Sequence, residues 1–331
     1  MYVVTGASGH IGNTLIRMLV EQGKADQIIA MLHSHREPRS LAGLPVRRIY
    51  GDICDEKSLV SSFRGADVVF HCAAFISIVP GMFERLHRIN HEGTLNVLRA
   101  CRTAGVGRLV HVASIEAIGD VGSGRPVTEE DGFNPDKAMI EYGITKATAA
   151  IEVLKEAQKG LDVVIVSPVG VVGPYDFKPS QMGQMVIDFV THKLPAYPDG
   201  GFDFVDVRDV ARALIAAAEK GRRGENYLIT GGHLSIPEMM AMLEKITGVR
   251  KPFFKLPHWL LGVAAIGSEI CFRLFGGNPV LTRSSLRILR SRLTVCGEKA
   301  RRELSIEPTP LEETFSAQIA FFRSEGMLPP L

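Results

Sequence analysis

The sequence predicts an α/β protein: a doubly wound parallel sheet followed by a smaller, mostly helical C-terminal lobe. Three observations carry this. The first half alternates short β-branched runs with helical apolar stripes, the pattern of a parallel sheet covered on both faces. A glycine-rich turn joins the first strand to the first helix. After Pro168 the texture changes, with Gly and Pro dense through Gly173-Pro174, Pro179, Pro195, Pro198 and Gly200-Gly201.

Tyr2-Val3-Val4 reads as a buried strand, and Ile11, Leu15, Ile16, Leu19 and Val20 form the stripe of the helix that follows. Further strands are expected over 27–32, 46–50, 67–71, 108–113 and 162–166, each carrying Val or Ile. Long helices are expected over 83–103 and 138–158. Past Pro168, short strands at 202–205 and 226–229 flank a helix at 207–219, and from Ile236 the pattern is mostly helical.

Composition excludes several classes. The chain has 331 residues, 46% hydrophobic and 22% charged, with net charge +2. That is too apolar for disorder and too evenly charged for a broad nucleic-acid footprint. With 7% aromatics and one Trp, no base-stacking platform is visible. Five Cys (Cys54, Cys72, Cys101, Cys271, Cys296) lack C-x-x-C spacing and read as reduced, mostly buried thiols of a cytoplasmic protein. The N-terminus has no signal-peptide pattern. The ten His show no H-E-x-x-H spacing, so no metal site is expected.

Mean hydropathy is positive, at +0.12. A visible excess lies over 256–266 and continues to Cys271, Phe272, Leu274 and Phe275. Its uninterrupted part is shorter than the roughly 20 apolar residues needed to span a bilayer, and Glu269 and Arg273 interrupt its extension. It reads as a helix capping the C-terminal lobe, with a weak interfacial membrane contact as the alternative.

Thr5-Gly6-Ala7-Ser8-Gly9-His10-Ile11-Gly12 sits where a Rossmann-type fold binds the pyrophosphate of a dinucleotide. Glycines let the backbone approach, and the helix N-terminus offers free N–H groups. The division expected is 1–170 for the dinucleotide-binding domain, with a return near 202–230, and 171–331 for a substrate-binding lobe. After the second strand an NAD enzyme presents an acidic residue to the ribose, but here His33-Ser34-His35-Arg36 follows. His33, Ser34 and Arg36 suit a 2′-phosphate, so NADP is expected; Glu37 keeps NAD open.

Tyr142 and Lys146 are four apart on one helix face. An ammonium about 4 Å from the phenol is worth about 4 kcal/mol at an effective dielectric near 20, or roughly three pK units. The spacing thus predicts a phenol tuned toward neutral pH as a general acid/base. Ser114 ends the fifth strand, at the edge where parallel sheets place ligands, and can hold a substrate carbonyl against Tyr142.

With glycine loop, Ser114, Tyr142 and Lys146 in this order, the chain resembles the extended short-chain dehydrogenase/reductase superfamily over nearly its whole length. Gly51-Asp52-Ile53 looks like the adenine-contacting segment and His71-Cys72-Ala73-Ala74 like the cofactor wall. Asn90-x-x-Gly93-Thr94, Val205-Asp206-Val207-x-Asp209 and Pro168-Val169-Gly170-Val171 match other family segments. The resemblance implies Tyr142 as acid/base, Ser114 as substrate hydrogen bonder and Lys146 as ribose anchor. It also implies cofactor contacts from Gly6, Ser8, Gly9, His10, Ile11, Gly12, Asp52, Ile53, Ala73, Ala74, Pro168 and Val171, and a homodimer built on the two long helices.

Ser114-Ile115-Glu116 lacks the Asp-Glu pair of sugar-nucleotide dehydratases, and Gly170 stands where epimerases often have Asn. Together with Phe75-Ile76-Ser77-Ile78, it resembles the 3β-hydroxysteroid dehydrogenase and dihydroflavonol 4-reductase branch. The C-terminal half is also similar to hopanoid-associated sugar-epimerase-like proteins. Phe75, Ile76, Ile78, Val79, Met82 and Phe83 are expected to line a greasy substrate mouth. The expectation is hydride transfer between nicotinamide and a secondary alcohol or ketone of a hydrophobic, steroid- or flavonoid-like substrate. A nucleotide-sugar 4-epimerase and a non-catalytic NADP-sensing regulator are the alternatives.

Overall fold

A computed structural model describes residues 1–122, 124–275, 282–291 and 293–329. The strands are β1 (Tyr2–Thr5), β2 (Ile28–Leu32), β3 (Arg47–Tyr50), β4 (Val68–His71), β5 (Arg108–Val112), β6 (Val163–Pro168), β7 (Gly170–Val172), β8 (Ala196–Tyr197), β9 (Gly201–Asp206), β10 (Asn226–Ile229), β11 (Gly232–Ser235) and β12 (Phe254–Lys255). The helices begin with α1 (His10–Glu21), α2 (Glu56–Phe63), α3 (Phe83–Leu86), α4 (Gly93–Ala104), α5 (Glu141–Gln158) and α6 (Gln181–Val190). They continue with α7 (Val207–Lys220), α8 (Ile236–Thr247), α9 (His258–Phe275), α10 (Arg283–Ser291), α11 (Glu298–Leu304) and α12 (Leu311–Ser324).

Seven strands form one parallel sheet in the order β10-β6-β5-β4-β1-β2-β3. Strand neighbours alternate faces, so each pair of consecutive apolar residues serves two cores. Val4, Phe70, Val110 and Val164 face α1 and α7, whose Leu15, Ile16, Val210 and Leu214 close that side. Val3, Val69, Leu109 and Val163 face α2, α4 and α5 through Leu59, Phe63, Val97 and Val153. The doubly wound reading thus holds residue by residue. The order reverses between β1 and β4, the switch point outside which such sheets bind ligands.

A second sheet, β11-β9-β7, stands beyond the carboxyl ends of β6 and β10. Its strands are only three to six residues long and bounded by glycines, too brief for periodicity to announce β7 and β11. It carries the C-terminal core of Val186, Phe189, Phe204, Met239, Phe315 and Phe322 with α6, α8 and α12. β10 and α7 pack on the large sheet, whereas β9 belongs to the small one.

The helix expected over 83–103 runs unbroken from Phe83 to Ala104 as α3, a π turn at His87–Glu92 and α4. One expectation needs correction. The thiols are not mostly buried: of the four described, Cys101 is buried, Cys54 is exposed, and Cys72 and Cys296 lie between. The expectations for the side chains of Cys271, Leu274 and Phe275 lie outside the described residues.

Candidate active site and cofactor groove

Gly6 closes β1 with a left-handed φ of +66°, and a Cβ there would meet the Ala73 backbone nitrogen at 2.6 Å. Gly12 lets α1 start close under the loop, since its Cβ would meet the Gly6 carbonyl oxygen at 2.3 Å. Gly9 is the N-cap of α1 and supplies no side-chain cap, and the first turn holds no acidic residue. The first N–H groups of α1 are therefore available to an anion.

A groove of about 490 Å³ runs from this loop past Gly6, Ser8, Gly9, His33, Asp52, Ile53, Ala73 and Ala74, reaching Arg85 and Arg88. Eight expected cofactor residues line it. A side pocket of about 400 Å³ adds Ser34 and Arg36, together with Glu37 and Arg39. Glu37 is held by the Arg48 guanidinium at 2.8 Å and Arg39 by Glu325 at 3.1 Å. The residues present fit a dinucleotide: glycines at the close approaches, uncapped N–H groups at the centre, and polar side chains at one end.

Other expected cofactor residues are placed differently. His10 Nε2 bonds the Pro174 carbonyl oxygen at 2.8 Å and so ties the loop to the second lobe. Gly12 is packed under Gly6, and Ile11 and Val171 pack against the apolar core of one sheet face. Pro168 ends β6.

Ser114 and Tyr142 converge because the turn after β5 packs tightly on the start of α5. A Cβ on Gly143 would meet the Glu116 carbonyl oxygen at 2.5 Å, so only glycine permits this approach. The Ser114 hydroxyl accepts the Glu116 N–H at 3.3 Å and lies near enough to Tyr142 to influence its phenol. Lys146 is buried one turn further on, with Nζ donating to the Val112 carbonyl oxygen at 2.5 Å. The three residues are thus brought together, but the electrostatics differ from expectation. Burial pushes the phenol of Tyr142 well above its usual value, the Ser114 hydroxyl opposes this, and nearby Glu116 adds to the rise. Burial likewise pushes Lys146 down to about 8. The ammonium turned toward Val112 is not what tunes the phenol in this geometry.

Four residues support the site: Glu141 and Glu116 carried no role in the sequence reading, and Asn90 and His71 entered it only within family-like segments. Glu141 accepts the Gly81 and Met82 N–H groups at 3.0 and 2.9 Å, pinning the 76–82 loop beside Tyr142. Asn90, buried in the π turn, receives the Phe75 N–H at 2.8 Å and donates to the Phe75 carbonyl at 2.9 Å. Its amide also donates to Thr145 on α5 at 3.2 Å, so the turn gathers loop and helix. His71 lies between Thr5 (2.8 Å) and Thr94 (3.1 Å). The Thr94 hydroxyl gives its proton to the Asn90 carbonyl, so His71 donates from Nε2; burial, with the nearby Lys146 charge, holds its pKa down to about 3 and keeps it neutral.

Glu116 is the fourth. It lines an apolar cavity of about 170 Å³ with Ile115, Val169, Met182, Phe202 and Ile288. Its Oε2 is shut from water with no hydrogen-bond partner, and burial pushes the carboxyl up to about 7. The signal that could have found it is its place two residues after Ser114. A second cleft, of about 240 Å³, opens between Ile78, Val79, Ile140 and α10. Of the expected greasy mouth, Ile78 and Val79 line this cleft and Phe75 lines the groove, but Ile76 is 67% exposed.

The sheet, its switch-point groove and the adjoining Ser/Tyr/Lys cluster define a dinucleotide-binding α/β enzyme. The chain belongs to the NAD dependent epimerase/dehydratase family, whose model matches residues 2–230. It is 37% identical to sterol demethylase protein B of Methylococcus capsulatus, over 98% of this chain and 99% of that protein. It is 31% identical to a putative dihydroflavonol 4-reductase of Synechocystis, over 98% and 95%. The crystal structure of gox2253 superposes with TM-score 0.85 at 32% identity, covering 99% of both chains.

Proposed function

We propose that this protein is an NADP-dependent reductase/dehydrogenase moving hydride between nicotinamide and a secondary alcohol or ketone on a hydrophobic, steroid- or flavonoid-like substrate. The observation that carries this is the packing of the Ser114–Glu116 turn on the Tyr142 end of α5, beside an apolar cavity that Ile115 and Glu116 line. When bound, the nicotinamide supplies or accepts the hydride. Ser114 orients the carbonyl, Tyr142 gives its proton to the oxygen during reduction, and Lys146 holds the ribose. Charge at the side pocket supports NADP: Glu37 is engaged by Arg48, while Ser34 and Arg36 remain beside the space. The similarity to a putative dihydroflavonol 4-reductase and to sterol demethylase protein B supports an apolar polycyclic substrate. Homodimerisation through α4 and α5 belongs to the same reading.

The test is turnover of purified protein with NADPH or NADH against steroid, flavonoid and simple ketones, beside nucleotide sugars. Net NADPH oxidation with an apolar ketone is expected. Sugar interconversion without net redox would replace this reading with a 4-epimerase; tight NADP binding with no turnover would replace it with a regulator.

A further inference from the structure

The C-terminal lobe leaves one helix face unaccounted for. On α9, Leu261, Ala265 and Glu269 are buried against the lobe. The opposite face shows Val263 at 64% exposure, Ile270 at 52%, Ile266 at 48% and Leu260 at 37%. Ala264 and Gly267 complete it, so this face over 260–270 carries no charge. Immediately before it, Phe253 and Phe254 are 95% and 70% exposed. Soluble monomers rarely leave contiguous apolar surface of this kind open. The same segment carries the exposed cations Arg250 and Lys251, with Lys255 paired to Asp199 at 3.0 Å.

We propose that α9 and the Phe253-Phe254 pair form a docking surface for a bilayer containing anionic lipid. The charge pattern selects this occupant: an apolar face with cations at its approach matches acyl chains beneath anionic headgroups. The face is about 15 Å long, half the thickness of a hydrocarbon core, so the helix lies in the interface plane. Among the described residues no helix is long and apolar enough to cross a membrane. The surface is also coupled to the site. Glu269 receives the Arg283 N–H and Nε at 2.8 and 2.9 Å, joining α9 to α10. α10 in turn presents Ile288 to the apolar cavity and Arg287 to the second cleft. Docking would therefore set a bilayer-dissolved substrate beside its entrance, a consequence that rests on the reductase reading, whereas docking itself does not.

The experiment is co-sedimentation of the full chain with phosphatidylcholine vesicles, with and without phosphatidylglycerol, at low and high salt. Salt-sensitive binding to the anionic vesicles is expected. The V263E/I266E variant should lose at least tenfold in partitioning. At about 1 kcal/mol per cation, R250E/K251E should lose on the order of tenfold or more, on anionic vesicles only. R250E/K251E alters exposed side chains alone, so it keeps the test decisive if the first variant misfolds. Absence of binding to anionic vesicles, or equal binding by wild type and R250E/K251E, overturns the proposal. So does a V263E/I266E variant that becomes monomeric with unchanged partitioning, which would assign the face to a second copy. None of these readouts depends on turnover.

Discussion

Burial shifts the acid–base behaviour of both Tyr142 and Glu116. It holds the Tyr142 phenol above its usual value, so the proton it must give up in reduction is bound more tightly than in water. Tyr142→Phe is expected to abolish turnover while leaving NADP affinity within about twofold; substantial residual turnover in a steady-state assay would remove the acid/base role. Glu116 makes a thermodynamic prediction. Its folded pKa, about 7, lies above the usual 4.5, so the folded state binds the proton more tightly than the unfolded chain does. The contribution to stability is complete below about pH 4.5 and is lost as pH rises through 7. Full loss is worth at most about 3 kcal/mol. Glu116→Gln should therefore melt higher than wild type at pH 8 and show little gain at pH 5. Equal melting differences at both pH values would show that the carboxyl titrates normally.

At the level of elements, the loop between β1 and α1 works because three backbone stretches approach within van der Waals distance. Gly12→Ala forces its methyl into the Gly6 carbonyl, so the loop must open. Cofactor affinity should fall at least tenfold in a fluorescence titration, more than any loss of melting temperature would suggest. The turn after β2 carries the cofactor choice. Removing the Arg36 guanidinium removes a charge-assisted phosphate contact worth about 1.5–3 kcal/mol. Arg36→Ala should weaken NADPH tenfold or more and leave NADH nearly unchanged; equal losses for both would place the 2′-phosphate elsewhere. The π turn between α3 and α4 shows a related economy, since its wider backbone turns Asn90 inward to hold the Phe75 backbone and Thr145.

For the whole molecule, the question is what seats the C-terminal lobe over the large sheet. Asp203 on β9, nearly buried, accepts the Val295 N–H at 2.8 Å, the Thr230 hydroxyl at 3.2 Å and His233 at 3.0 Å. It thereby fastens the small sheet to the segment leading into α11, which returns to the large sheet. Asp203→Ala strands those donors and should cost about 2–4 kcal/mol, read as a fall of several degrees in melting temperature. Unchanged stability would mean that apolar packing alone seats the lobe. His10 adds a second tie, from the glycine loop to Pro174.

Local rules made much of this protein legible. Pairs such as Val3-Val4 and Val163-Val164 had to serve opposite faces of a buried sheet, and the glycines of 6–12 had to mark a close backbone approach. Those properties depend on strand periodicity and on the missing Cβ, which travel with the sequence. Tertiary structure decided what depends on meetings between distant segments. The packing of Gly143 on Glu116 is what joins Ser114 to Tyr142, and the direction of Lys146 toward Val112 left burial in control of the phenol. The unpartnered carboxyl of Glu116 and the uncharged outward face of α9 also belong to the fold. The sequence alone marked 256–275 as apolar; only packing, by burying Leu261 and Ala265 and leaving Val263 and Ile266 outside, determined which side must find another medium.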